Sequence, residues 1–254
     1  MSIAESTHWY DKEGRPRYTV IGKNGNERPT TLRDARQMGL FPSVTSIIRV
    51  AAAPGLENWK IDQALMAALT LPRLEDESLD DFMVRAKKDA KEQAIKAAER
   101  GTEVHAAIEL GFSTGFESDA YKAVRAALDE RWPGEEWIAE SSFAHSLGFG
   151  GKIDLYSKTG IFVDFKTKDR LDTSDPAKLV YDEHGMQLSA YAMGMSVGNP
   201  VRVSVFIDRE DVTKVAVHVW DSASHFQHAK MFTSLLDYWQ AAKNYFPGHC
   251  VSRL

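Results

Sequence analysis

The sequence predicts an α/β fold in one large unit with a helical N-terminal half, and three observations carry that expectation. From Pro42 to about Trp132 nearly every segment has its apolar residues at helical spacing. After Trp132 the apolar period shortens to two, the signature of half-buried strands. Helical spacing then returns over 182–197 and again from Ser224, with two further strand patterns between. At 254 residues and 43% hydrophobic composition, the chain is long enough to bury one substantial core.

In chain order, RYTVI and the turn signal Asn24-Gly25 read as an accessory hairpin over 17–31, followed by a short helix from Thr31 that Gly39 can end. Ser43 can cap SIIRV, Gly55 precedes the helical pattern LENWKIDQALMAAL, and Ser78 opens a long charged helix whose pattern resumes beyond Gly101. EWIAESSFAHS, FGGKIDLYS and GIFVDFKTK read as a three-stranded meander, VRVSVFIDR and VTKVAVHVW as two more strands, and SHFQHAKMFTSLLDYWQAAKNYF as a closing amphipathic helix. The expected order is helices, βββ, α, ββ, α. As working boundaries, 1–94 forms a hairpin and helical region packed on a core of 95–254.

Lys and Arg total 31 against 36 Asp and Glu, a net charge of −5, so any contact with polyanions must come from a local patch. Cys250 is the only cysteine, which excludes an internal disulfide and any four-cysteine zinc or iron–sulfur cluster. No apolar run approaches the roughly 20 residues that cross a bilayer, and the N-terminus lacks an apolar signal core. A soluble protein of a reducing cytoplasm, with no membrane partner, is the expectation.

The chemistry concentrates in GGKIDLYSKTGIFVDFKTK. If Lys158-Thr159-Gly160 forms a three-residue loop with Gly160 left-handed, Asp154 lies opposite Asp164; a two-residue loop would put them on opposite faces. Alternation places Asp164 and Lys166 on one face and turns Phe165 toward the core with Val163. Two carboxylates beside one ammonium suit a hard cation such as Mg²⁺ or Mn²⁺, whereas the pattern alone also describes a surface salt bridge. His105 and Glu109 share a helix face, as do Gln187 and Tyr191. Gly150-Gly151 marks a bulge or a close backbone approach.

Taken together and in order, GTEVH (101–105), GGKIDL (150–155), VDFKT (163–167) and QLSAY (187–191) resemble the PD-(D/E)XK nuclease superfamily, and within it the RecB-like exonucleases. PSVTSII (42–48) with Trp59 downstream is similar to the N-terminal part of phage and mitochondrial genome-maintenance exonucleases. The resemblance implies a restriction-endonuclease-like core, a mixed central sheet flanked by helices. It implies one or two Mg²⁺ or Mn²⁺ ions held by His105, Asp154, Asp164 and the Phe165 carbonyl, with Lys166 orienting or deprotonating the attacking water. Gln187 and Tyr191 would support the lysine and the scissile phosphate. Where the superfamily often has Glu, this chain has Asp164, as the RecB-like branch does. Relatives with an iron–sulfur cluster are disfavoured by the lone cysteine.

The implied activity is hydrolysis of DNA from a single-stranded or resected end, in phage or bacterial recombination, replication or repair, with a recombination or single-strand-binding protein as partner. The alternatives are a structure-specific or flap endonuclease on the same site and a catalytically silent DNA-binding module. Ser43 and Thr45, near a helix N-terminus, are candidate phosphate contacts or simply a cap. Arg100, with the basic residues before His105, is a candidate for the groove that carries DNA, and Trp59, Trp132 and Trp137 are either base-stacking or core residues.

Overall fold

The computed structural model describes residues 8–51 and 54–248, so Cys250 and the first seven residues lie outside it. The elements are β1 (Trp9–Tyr10), β2 (Thr19–Ile21), β3 (Glu27–Pro29), α1 (Leu32–Met38), β4 (Phe41–Pro42), α2 (Val44–Ile48), α3 (Pro54–Thr70), α4 (Leu79–Thr114), α5 (Asp119–Asp129), β5 (Trp137–His145), β6 (Phe149–Ser157), β7 (Ile161–Lys168), α6 (Asp182–Gly194), β8 (Val201–Asp208), β9 (Val215–Val219) and α7 (Ser224–Lys243). The order helices, βββ, α, ββ, α is therefore the one the period changes predict.

Five strands form one mixed sheet in the order β5-β6-β7-β8-β9. The meander is antiparallel, β7 and β8 run parallel across the α6 crossover, and β8–β9 is antiparallel. A parallel pair needs such a crossover, which is why helical spacing interrupts the strands at 182–197. One core, with Phe149, Ile153, Phe162, Leu188 and Phe232, lies against α6 and α7. The other, with Ile108, Val124, Leu155, Val163 and Phe165, lies against α4 and α5. The sheet is thus covered on both faces.

Local capping agrees with the sequence. Thr31 and Asp34 form a capping box at α1, and Gly39 ends that helix at φ +67. Ser43, Ser78 and Ser118 cap α2, α4 and α5. Two boundaries differ from expectation. α3 begins at Pro54 rather than after Gly55, since proline at the first helical position loses no bonded amide. α4 runs 36 residues without a break across residue 94 and through Gly101. A Cβ on Gly101 would stand 2.9 Å from Thr167 Oγ1, so glycine there lets α4 lie close to β7. The pairing of β1 with β4 was not legible in the sequence. Among the described residues no helix is long and apolar enough to cross a membrane.

Candidate active site

The β6–β7 connection is the three-residue loop that sets Asp154 opposite Asp164. Gly160 has φ +94, its amide bonds to the Ser157 carbonyl at 3.1 Å, and the register runs Tyr156↔Phe162, then Leu155↔Val163. The next facing positions are Asp154 and Asp164, and there the ladder stops. Instead of a strand partner, the Phe165 amide donates to Asp154 Oδ2 at 2.9 Å. A carboxylate thus wedges β6 from β7 and opens a fork between Gly151-Lys152 on one strand and Lys166-Lys168 on the other.

The same point is distorted on its other side. Ala139↔Leu155 and Ser141↔Ile153 flank the position where Glu140 faces Asp154, and Glu140 sits at φ +56, a region non-glycine residues rarely occupy. Phe149 and Ile153 belong to the α6-side core while Leu155 belongs to the α4-side core. The pleat therefore changes phase at Asp154, and three acidic residues, Glu140, Asp154 and Asp164, lie in a row across adjacent strands.

Asp164 is 1% exposed. Its Oδ1 accepts from Gln187 Nε2 at 2.6 Å, and its Oδ2 forms an ion pair with Lys166 Nζ at 2.6 Å. Gln187 Oε1 accepts from Lys166 Nζ at 3.1 Å, while Gln187 Nε2 also donates to the Tyr191 hydroxyl at 2.8 Å. One amide on α6 therefore ties the aspartate, the lysine and the tyrosine together. This works because Gln187 and Tyr191 are one turn apart on the buried face of α6.

Electrostatics follow from this crowding. Burial raises Asp164 to about 6, with Lys166 pulling down and Asp154 pushing up. Burial also raises Asp154, opposed chiefly by Lys166. His105 on α4 stands edge to face with Phe165 at 6.0 Å between ring centroids. Burial first, and Lys166 second, hold its imidazole at about 4, so it is neutral and a competent ligand at pH 7. Next to Asp154, burial and a hydrogen bond to Glu140 raise Glu109 to about 8, and Lys152 pairs with Glu140.

The fork brings together Asp154, Asp164, Lys166, Gln187, Tyr191 and His105. In charge and chemistry these donors fit a hard divalent cation: two buried carboxylates resist ionising together, and among the described residues the only cation paired with either is the Lys166 ammonium at Asp164 Oδ2. Among the described residues no three His, Asp, Glu or Cys side chains converge closely enough to form a cage by themselves. A backbone carbonyl, as at Phe165, would have to complete the set.

The other candidates lie elsewhere. Ser43 is buried, and its Oγ accepts from the Ser46 amide at 3.1 Å and bonds the hydroxyls of Ser46 and Thr45, so it serves as the α2 cap. Arg100 is exposed and lines an open groove of about 450 Å³ with Trp59, Lys96 and Arg209, mixed with Glu99, Glu103 and Asp169. Trp132 and Trp137 pack on the α4-side core. Gly150-Gly151 is no bulge, because its register is regular; a Cβ at either would strike Tyr10, Phe143 or Tyr191. Sequence reading passed over Lys152, two residues before Asp154 on β6, and Glu140, which becomes a neighbour of Asp154 only through strand register. Tyr10, whose hydroxyl bonds that of Tyr18 at 2.8 Å, was also passed over.

No protein-family model matches the chain, and no curated protein matches it. Among solved structures, the crystal structure of SSO0001 is 18% identical, covering 71% of this chain and 86% of that one, with a TM-score of 0.30. An alkaline exonuclease (LHK-Exo) from Laribacter hongkongensis is 14% identical, covering 74% and 94%, with a TM-score of 0.37. At these scores neither likeness bears on the reading of the site, which stands on its own geometry.

Proposed function

We propose that this protein is a divalent-metal-dependent deoxyribonuclease that hydrolyses phosphodiester bonds from a single-stranded or resected DNA end. The observation that carries the reading is the fork itself: Asp154 and Asp164 at facing positions, Lys166 Nζ 2.6 Å from Asp164, and Gln187 bonded to both. Two carboxylates whose burial opposes their charge gain most from a divalent ion. When bound, Mg²⁺ or Mn²⁺ would neutralise them, polarise a phosphodiester and acidify a water. His105, Asp154, Asp164 and the Phe165 carbonyl are the proposed ligands.

The chain's own residues would divide the remaining work. Lys166, held by Gln187, orients or deprotonates water beside the phosphate. Tyr191, bonded through Gln187, fixes that amide's orientation. Arg100 and Lys96 offer cations to a DNA backbone along the groove beside Trp59, while Arg209 in the same groove is held by Asp169 and the Ala97 carbonyl; Thr45, half-buried beside the Ser43 cap, is the remaining proposed contact. A recombination or replication-repair setting, in a phage-infected or bacterial cytoplasm, fits the activity.

The decisive experiment incubates end-labelled linear single-stranded, linear duplex and circular DNA with Mg²⁺, Mn²⁺ or EDTA, comparing wild type with Lys166→Ala. Loss of ends with survival of circles is the expected result. Cutting of circles would indicate the endonuclease reading, EDTA-resistant cutting would refute the metal, and binding without cutting in either metal would leave a DNA-binding module.

A further inference from the structure

Behind α6, on the side away from the fork, a guanidinium is buried without a carboxylate to bond. Arg202 on β8 is fully buried and, by strand alternation, points away from the α4-side core that holds Val203. Four of its five N–H donors are engaged. Nη1 donates to Ser189 Oγ at 3.0 Å and to His228 Nδ1 at 2.9 Å, while Nη2 donates to the Asp221 carbonyl and to Ser224 Oγ, both at 2.7 Å. Burial lowers its pKa to about 10, so it stays charged at neutral pH. A guanidinium only donates, so His228 Nδ1 accepts and the neutral ring turns its Nε2–H toward Asp182 Oδ1, 3.5 Å away at the start of α6.

The groups gripped in this way belong largely to α6. Ser189 is bonded directly, and Gly185, one turn earlier, packs against the His228 ring: a Cβ there would fall 2.5 Å from the imidazole Cε1. Both residues are small, so neither has a long side chain to interlock with β8 and α7. Gln187 is two residues from each, about 200° around the helix. It faces the fork, where its amide bonds Asp164 at 2.6 Å, Lys166 at 3.1 Å and Tyr191 at 2.8 Å. The rotation of α6 about its axis therefore sets where that amide stands. A side-chain end ~5–6 Å from the axis moves about 1 Å for a rotation of ~10°, and a misplacement of about 1 Å can cost about a hundredfold in rate. Apolar packing would hold α6 to the sheet without burying a charge, but it would not supply the directed bonds that fix a rotation.

We infer that Arg202 is a positioning residue for cleavage, acting through Ser189 and His228 to fix the rotation of α6 that presents Gln187 to Asp164 and Lys166. This role rests on the nuclease reading of the fork. The test pairs single-turnover cleavage by the full chain with the NMR resonance of the Gln187 side-chain amide, assigned by its loss in Gln187→Ala. Arg202→Lys keeps the charge and loses the forked donors. It is expected to slow cleavage about tenfold to a hundredfold, to leave DNA affinity in Ca²⁺ unchanged, and to shift the Gln187 resonance. Ser189→Ala, which removes one hydroxyl, should move rate and resonance the same way by less, and it decides the matter if Arg202→Lys does not fold. Because the effect passes through Gln187, adding Gln187→Ala to either variant should give cleavage no slower than Gln187→Ala alone. Losses that multiply in the double variants, or a Gln187 resonance unmoved by Arg202→Lys and Ser189→Ala, would overturn the inference. A wild type that cuts no DNA in Mg²⁺ or Mn²⁺ would instead sink the nuclease reading, while the Gln187 resonance would still test the hold of Arg202 on α6.

Discussion

Replacing Asp164 by Asn is expected to stabilise the fold at neutral pH while removing cleavage. Asn keeps the oxygen that accepts from Gln187 Nε2, removes the charge, and puts an amide NH2 where Oδ2 now faces Lys166 Nζ. A folded-state carboxyl raised from 3.8 to about 6 favours folding while protonated and loses that contribution as pH rises through 6. Ionised at pH 7.5, the buried aspartate therefore costs the fold roughly 3 kcal/mol relative to a free one. That figure already contains the pull of Lys166; the offset comes instead from the Asn NH2 facing the Lys166 ammonium, leaving about 1–2 kcal/mol, or a rise in melting temperature of about 2–8 °C for a chain of this size. Thermal melts of wild type and Asp164→Asn from pH 4 to 8 measure the difference directly, and histidine effects common to both proteins cancel. The gap should vanish near pH 4, open as pH rises from about 4 to about 6, and stay constant above that. Adding Mg²⁺ or Mn²⁺ should raise the wild-type melting temperature and leave the variant unmoved. A variant less stable than wild type at pH 7.5, with no pH dependence in the gap, would refute the account of Asp164 as a charge held against burial.

Metal-dependent cleavage should increase as pH rises through about 6, where Asp164 ionises, with the midpoint moving lower as divalent concentration rises; a profile flat from pH 5 to 8 contradicts this. Gln187→Ala should lower kcat with little change in DNA affinity, because its amide holds Lys166 and Asp164; an equal loss in binding, read by fluorescence anisotropy in Ca²⁺, would assign Gln187 to the substrate instead. Burial holds His184 neutral down to about 2, so below pH 6.5 it subtracts about 1.4 kcal/mol of stability per pH unit, against the opposite contributions of Asp164 and Glu109; a His184→Gln variant should gain on wild type by that slope in urea denaturation, and a pH-independent difference contradicts it. Gly194→Ala should cost about 1–3 kcal/mol, because the added carbon would fall 2.1 Å from the Phe143 ring; a change within about 0.5 kcal/mol would mean the ring moves freely.

Periodicity alone determined the order of elements, and turn chemistry reduced the critical register to two choices, of which the structure has the three-residue loop with a left-handed Gly160 that aligns Asp154 with Asp164. The pairing of Asp164 with Lys166 and of Gln187 with Tyr191 was equally local, being two residues along a strand and one turn along a helix. What the sequence could not fix is everything that depends on non-local contact. Glu140 reaches Asp154 through the register of a different strand pair, and its left-handed backbone has no local signal in AESSF. Gln187 meets Asp164 because the parallel β7–β8 pair needs a crossover helix on that face. The α3–α4 hairpin shows the same limit, since the stripe Ile61, Leu65 and Leu69 has the spacing of a core-facing helix yet stands exposed while alanines fill the contact. Local patterns record which face a side chain takes; only tertiary packing decides what stands opposite it.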